Sequence, residues 1–315
     1  MNGVLEPAVE GPPALEATGL GRRYGRIWAL RDCSLLLPRG RVVALVGSNG
    51  AGKTTLMQLA VGILSPTAGT LRVVGEQAGR PAALARVAFV AQDKPLYREF
   101  TVAELLRFGR ELNPRFDQGF AHKRLETLEI PLDRKAGKLS GGQQAQVAIT
   151  LALAKLPELL LLDEPLGNLD PLARREVMQG LMATVADREV TAVLSSHVLA
   201  DLAEVCDHLI LLARGRLQVA GDIEDLLSEH KLLVGRRRDG DPPPAPHTVV
   251  SESFTARQAS YLVRLDGRAL DAHWDVRDVS LEELVLAYMR TPDAAVLPRP
   301  ALAAGGRAAE PTGGA

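Results

Sequence analysis

The 315-residue chain is poor in cysteine: Cys33 and Cys206 lie far apart and neither sits in C-x-x-C spacing. That excludes a disulfide framework and a thiolate zinc site, leaving two buried thiols as the expectation. No apolar run reaches the length needed to cross a bilayer, so no membrane span is expected. The N-terminus, Met1-Asn2-Gly3 followed by Pro7, Pro12 and Pro13, lacks a basic region leading into an apolar one, and no secretory leader is expected. Excess charge of one sign is missing too. The 37 Lys and Arg against 38 Asp and Glu leave a net charge of −1, which gives no general pull toward nucleic acid. What is present, 46% apolar and 24% charged residues, is enough for a full core, arranged as one large domain plus a small one.

The strongest local signal is Gly47-Ser48-Asn49-Gly50-Ala51-Gly52-Lys53-Thr54-Thr55, which leaves the apolar run Val42 to Val46 and enters a helical pattern. It matches G-x-x-x-x-G-K-[ST] in the required strand-to-helix context, whereas a glycine-rich turn with a chance lysine would lack that context. Gly47, Gly50 and Gly52 let the backbone N–H groups wrap phosphates at a helix N-terminus. Lys53 supplies a point charge to the outer phosphates, and the Thr54 hydroxyl can reach a bridging Mg²⁺.

Two further stretches carry chemistry. Leu159 to Leu162, followed by Asp163, Glu164 and Pro165, is too short to span a membrane and reads as a central parallel strand that delivers two carboxylates to the sheet's C-terminal edge. Alone, such a pair can be a solvated strand end; behind a phosphate loop it points to metal and water. In Leu139-Ser140-Gly141-Gly142-Gln143, Ser140 is a helix N-cap and the glycines leave backbone N–H groups bare, an anion site without a lysine.

With these motifs in this order, residues 14 to 230 resemble the ATP-binding subunit of an ATP-binding cassette (ABC) transporter, most like its export branch. The resemblance implies an α/β P-loop NTPase core of ABC ATPase type, with a helical subdomain over about 92–156 and a small α+β C-terminal appendage. It implies ATP and Mg²⁺ as ligands. Asp163, Thr54 and Gln92 would hold the metal, and Glu164 would be the general base toward the γ-phosphate. Gln92 corresponds to the Q-loop glutamine and His197, in Leu194-Ser195-Ser196-His197, to the switch histidine. Asn168-Leu169-Asp170 takes the place of the D-loop, with Gly167-Asn168 a mild departure from the usual Ser-Gly. Asp170 before Pro171 is also a helix cap in its own right. Tyr24 sits where an aromatic ring stacks on adenine, although a tyrosine in a short strand can equally pack locally.

The resemblance further implies a head-to-tail dimer, with a second copy or a homologous ATPase subunit. Ser140, Gly141, Gly142 and Gln143 would then close on the nucleotide of the partner, and separate transmembrane permease subunits would dock on the cytoplasmic face of the cell membrane. The stretch Gln92 to Thr101, with Lys94, Pro95, Tyr97 and Phe100, is the expected docking segment. Thr101 to Glu104 reads as a capping box opening a helix. Residues 231–246, with Gly235, Arg236 and three consecutive prolines, read as a linker. Residues 247–290 form a small domain ending in a helix capped at Ser280, and the Ala-, Gly- and Pro-rich 291–315 reads as a disordered tail. The size of this appendage suits exporters, since many sugar importers carry a larger one; an importer ATPase is the alternative within the transporter class. A soluble ABC ATPase acting on ribosomes or DNA is the alternative from another class. Against it stand a single set of motifs and the absence of zinc spacing or a long insertion between Gln92 and Leu139.

Overall fold

The computed structural model describes residues 11–93, 95–167, 169–196, 198–236, 247–255, 257–265 and 274–291. The chain opens with β1 (Leu15–Tyr24), β2 (Ile27–Leu37) and β3 (Val42–Val46), followed by α1 (Lys53–Ala60). Next come β4 (Ala68–Val73), β5 (Glu76–Gln77), α2 (Pro81–Leu84) and β6 (Val87–Val90). A helical layer follows: α3 (Val102–Leu112), α4 (Gln118–Thr127) and α5 (Gly141–Ala154). The alternating pattern then resumes with β7 (Leu159–Asp163), α6 (Pro171–Asp187), β8 (Thr191–Ser195), α7 (Leu199–Ala203), β9 (His208–Ala213) and β10 (Arg216–Asp222). Last are α8 (Ile223–Glu229), β11 (His230–Arg236), β12 (Thr248–Phe254), β13 (Gln258–Arg264), β14 (Asp275–Asp278) and α9 (Leu281–Arg290).

The central sheet has the order β10-β9-β3-β8-β7-β6, parallel throughout except for the antiparallel edge pair β10 and β9. Its middle strands β3, β8 and β7 are buried almost throughout and, apart from polar ends on β8 and β7, apolar because both faces are covered. In β7, Leu160 and Leu162 enter a core with α5 and α6, while Leu159 and Leu161 enter a second core with α1 and the antiparallel sheet β2-β1-β4-β5. The helical layer has its own apolar centre around Leu105, Leu106, Leu125 and Val147. The capping box at the start of α3 forms as its spacing predicts: Thr101 Oγ1 accepts from Glu104 N, and Glu104 Oε2 accepts from Thr101 N.

Strand order sets the site. β3, β8, β7 and β6 are consecutive neighbours, so the glycine loop, the segment after Ser195, the Asp163-Glu164 pair and Gln92 all leave the same edge of the sheet. This is the C-terminal edge, where open α/β sheets bind ligands.

The C-terminal appendage is a four-stranded antiparallel sheet, β12-β13-β11-β14, and it corrects the linker expected over 231–246. Residues 231–236 belong to β11, an inner strand paired on both sides with β13 and β14; residues 237–246 lie outside the described residues. Gly235, taken as a breaker, is instead a close-packing position. A Cβ there would come within 2.6 Å of the Trp274 ring. Nor is the appendage an isolated unit, because Leu284, Val285 and Tyr288 of α9 share the core that holds α5, α6 and β7. The expected tail lies outside the described residues from 292 onward.

At the junction His230 is fully buried. Its Nδ1 lies 2.6 Å from the Leu226 carbonyl, and its Nε2 lies 2.9 Å from the Tyr288 hydroxyl. A neutral ring satisfies both contacts, donating to the carbonyl and accepting from the phenol. Burial lowers the His230 pKa, with the carbonyl contact working the other way. Burial likewise draws His208 down from 6.5 to about 4, and the Arg41 charge adds to the effect. The expected thiols are present, Cys33 buried and Cys206 half-buried, and burial pushes the latter up to about 12, far from a reactive thiolate.

A histidine whose folded pKa is depressed takes up its proton first in the unfolded chain, so stability is lost as pH falls through the window between the unfolded and folded values. Melting temperature is therefore expected to drop between about pH 6.5 and about pH 4. In scanning calorimetry across that range, His208→Gln should flatten the slope. An unchanged slope would remove His208 as its source.

Candidate active site

The site grows from the turn between β3 and α1. Gly47 has φ 155° and passes so close to the neighbouring strand that a Cβ would sit 2.3 Å from the Leu212 carbonyl oxygen. Gly52, at φ 108°, occupies the N-cap position of α1 without a side-chain cap. The first N–H groups of that helix are therefore left to an external acceptor, with the positive end of the helix dipole behind them. Lys53 folds back over the loop. Its Nζ donates to the carbonyls of Gly47 at 2.7 Å and Ser48 at 3.3 Å. Burial pulls the Lys53 pKa down, and the nearby Glu164 and Asp163 carboxylates partly restore it.

Asp163, only 2% exposed at the end of β7, ties three elements together. Thr54 Oγ1 donates to its Oδ2 at 2.6 Å from the start of α1, and Ser195 Oγ donates to its Oδ1 at 2.6 Å from the end of β8. The sheet register brings the second pair within reach, because Asp163 and Ser195 are direct partners across β7 and β8. Ser195 Oγ also accepts from the backbone N–H of Glu164 at 2.9 Å. That bond holds Glu164 at φ 45°, a conformation an L-residue seldom adopts. From the neighbouring strand end, Gln92 Nε2 donates to Glu164 Oε2 at 3.3 Å.

An open cleft results, lined by residues 49–55 together with Ala29, Gln92 and Glu164. The loop, Lys53, Thr54, Gln92, Asp163 and Glu164 are thus brought together. His197 and Asn168 lie outside the described residues. Tyr24 does not line the cleft; its exposed ring carries the Arg22 guanidinium 4.9 Å from the centroid, which is the local packing open to a tyrosine in a short strand.

Ser140, Gly141, Gly142 and Gln143 are also outside this cleft. Ser140 and Gln143 form a reciprocal capping box at the start of α5, with both bonds at 3.2 Å. The two glycines face Leu169 and Ala173 at the start of α6, where Asp170 Oδ1 caps the helix by accepting from Leu172 N and Ala173 N. Ser195 is the site residue that sequence reasoning passed over. Its only signal was its place two positions before His197, and its partners depend on strand register.

The donor set fits a hard divalent cation bound with phosphate. Thr54 and Asp163 place a hydroxyl and a carboxylate side by side next to the loop. Among the described residues no group of three or more His, Cys, Asp or Glu could hold a metal by itself. Mg²⁺ typically takes one or two protein oxygens and completes its shell with water and phosphate.

Known proteins are similar to the chain in both sequence and fold. A family model described as ABC transporter matches residues 30–167. The chain is 35% identical over 217 residues to the sulfate/thiosulfate import ATP-binding protein CysA of Escherichia coli strain K12, a match covering 66% of this chain and 60% of that protein. It is 31% identical over 202 residues to the ABC transporter ATP-binding protein YtrB of Bacillus subtilis strain 168, covering 64% of this chain and 69% of that one. A solved ATP-binding subunit of an ABC transporter superposes with a TM-score of 0.61 at 28% identity, over 68% of this chain and 92% of the other. A bacterial Atm1-family ABC exporter with ATP bound gives 0.60 at 26% identity, over 72% of this chain and 42% of the other. The chain spans about 60% of the length of the sulfate/thiosulfate import relatives it matches.

Replacing Ser195 by alanine leaves a buried Asp163 oxygen and the Glu164 N–H without their shared partner. Urea unfolding is expected to register a loss of about 1–3 kcal/mol. A variant as stable as the parent would mean that the hydroxyl does not hold the carboxylate pair.

Proposed function

The chain belongs to the ABC transporter family of ATP-binding proteins, and from that premise we propose that it is a transporter's ATP-hydrolysing subunit. The observation that carries the proposal is the convergence of Lys53, Thr54, Asp163, Glu164 and Gln92 on one sheet edge beside an uncapped helix start. The loop N–H groups receive the triphosphate. On binding, the Lys53 ammonium exchanges its loop carbonyls for phosphate oxygens, and the added negative charge raises its lowered pKa.

Thr54 and Asp163, with Gln92, would hold Mg²⁺, which when bound neutralises phosphate charge as a Lewis acid. Glu164 is the general base: its strained backbone aims the carboxylate into the cleft, and Gln92 orients it. The His197 imidazole is assigned to the γ-phosphate by the family resemblance.

The signature residues Ser140 to Gln143 lie outside the cleft of their own chain, which supports a head-to-tail dimer in which each copy completes the other's site. Closure on ATP and opening after hydrolysis would make the subunit interface the moving element. No helix of the described residues is long and apolar enough to cross a membrane, so the pore is assigned to separate permease subunits on whose cytoplasmic face this one sits. Tyr97, Phe100 and Phe108 form a surface aromatic cluster with ring centroids 5.1 to 6.2 Å apart, the permease contact in this scheme. Import, rather than the export expected from the size of the appendage, is the direction favoured by the sulfate/thiosulfate import relatives.

Glu164→Gln is expected to keep ATP affinity while lowering turnover by about 100-fold or more. It should also accumulate an ATP-bound dimer, detectable by sedimentation. Lys53→Ala should lose nucleotide binding altogether. Full turnover in the Glu164 variant would remove it as the base, and purification from solubilised membranes that brings down ribosomes or DNA in place of a polytopic protein would overturn the transporter assignment.

A further inference from the structure

Arg124 lies in the last turn of α4, whose Ala121 and Leu125 enter the helical layer's apolar centre, and its guanidinium reaches out of that layer. One terminal nitrogen donates to the Gly180 carbonyl at 3.0 Å and to Thr184 Oγ1 at 2.9 Å, both on α6. The other donates to Gln146 Oε1 at 3.2 Å on α5. Gln146 is itself buried, so one cation spans three helices through neutral acceptors. The acceptor carbonyl belongs to the one glycine of a 17-residue helix, and an ideal Cβ there would lie 3.5 Å from the guanidinium. That is ordinary van der Waals contact, so a methyl group would also fit there, and the seam rests on the Arg124 bonds and not on the glycine.

A second arginine closes the same seam from the other side. Arg188, just beyond α6, pairs with Asp117 at 3.0 Å and lies 3.8 Å over the Phe120 ring; both belong to the start of α4. At the far end of the seam the glycines of the signature face Leu169 and Ala173, next to the Asp170 cap. Between these ends α5 and α6 share one apolar core through Ala145, Ile149, Leu181 and Val185.

We propose that Arg124 is a positioning residue that fixes α4 against α6 and, through Gln146, carries the signature helix α5 with it, so that Ser140 and the D-loop residue Asp170 are presented as one rigid arm. Apolar packing alone permits helices to slide in small steps, because it is non-directional. Three directional bonds from one rigid guanidinium fork set the register along and across the helices. The consequence for the reaction rests on the dimer reading above, since the arm acts on a nucleotide held by another copy. The geometric part of the inference, a fixed α4–α6 spacing, does not.

The test uses the full chain with spin labels at the exposed positions Lys123 on α4 and Gln179 on α6, with distances read by double electron–electron resonance. Arg124→Ala is expected to broaden the distance distribution. In the unlabelled protein the same change should lower turnover by about tenfold or more with ATP affinity unchanged, because misplaced partner groups cost rate rather than binding. Thr184→Val keeps the side-chain shape, removes one acceptor and should shift both readouts the same way to a smaller extent, which guards against Arg124→Ala acting through unfolding.

An unchanged distribution in both variants, or a broadened one with turnover intact, would overturn the positioning role. Failure of the parent protein to hydrolyse ATP would instead strike at the functional assignment and leave the distance measurement standing as a test of the seam.

Discussion

The Asp163 carboxylate is the constraint on which the site depends. It is almost wholly buried, and each of its oxygens is held by a hydroxyl from a different element, Thr54 from the loop helix and Ser195 from the neighbouring strand. A buried carboxylate is costly unless its acceptors are filled, so the two hydroxyls and the carboxylate specify one another's positions. Through Ser195 the same network extends to the Glu164 backbone and holds it at a positive φ. Strain at a functional residue persists only where its surroundings over-determine it. Strand register, loop closure and two short hydrogen bonds do so here.

Around that point the molecule divides its labour by the directionality of its interactions. The sheet is held by apolar cores on both faces, which are strong and tolerant of detail. Where one element must keep its register on another, polar groups take over. Arg124 and Arg188 pin the helical layer to α6, and Glu158 draws Arg39 and Arg86 together at the far end of the sheet. His230 with Tyr288 fastens the appendage to the end of α8. Each is a junction between elements distant in sequence, where apolar contact would leave the relative position loosely defined.

Much of this was legible in the residues. The glycine loop, the apolar strand ending in Asp163 and Glu164, and the Thr101 and Ser280 capping boxes depend on local spacing and were read at the right places. The linker over 231–236 was misread because Gly235 and the arginine run resemble a solvated break, while the side chain that needs that glycine, Trp274, arrives from far along the chain. Tyr24 allowed two readings for the opposite reason, since its packing partner Arg22 is a neighbour on its own strand and was visible locally beside the adenine role.

By itself, then, the sequence determined the class of chemistry. Conformational freedom at Gly47 and Gly52, the charge of Lys53 and the adjacent acids after an apolar strand are properties of residue types in short windows, and they are expressed wherever such a window folds. Only the tertiary structure decided which hydroxyls hold Asp163 and which carbonyl receives Arg124. Those outcomes follow from strand order and helix packing, which sum weak preferences over the whole chain and so are written in no single stretch of it.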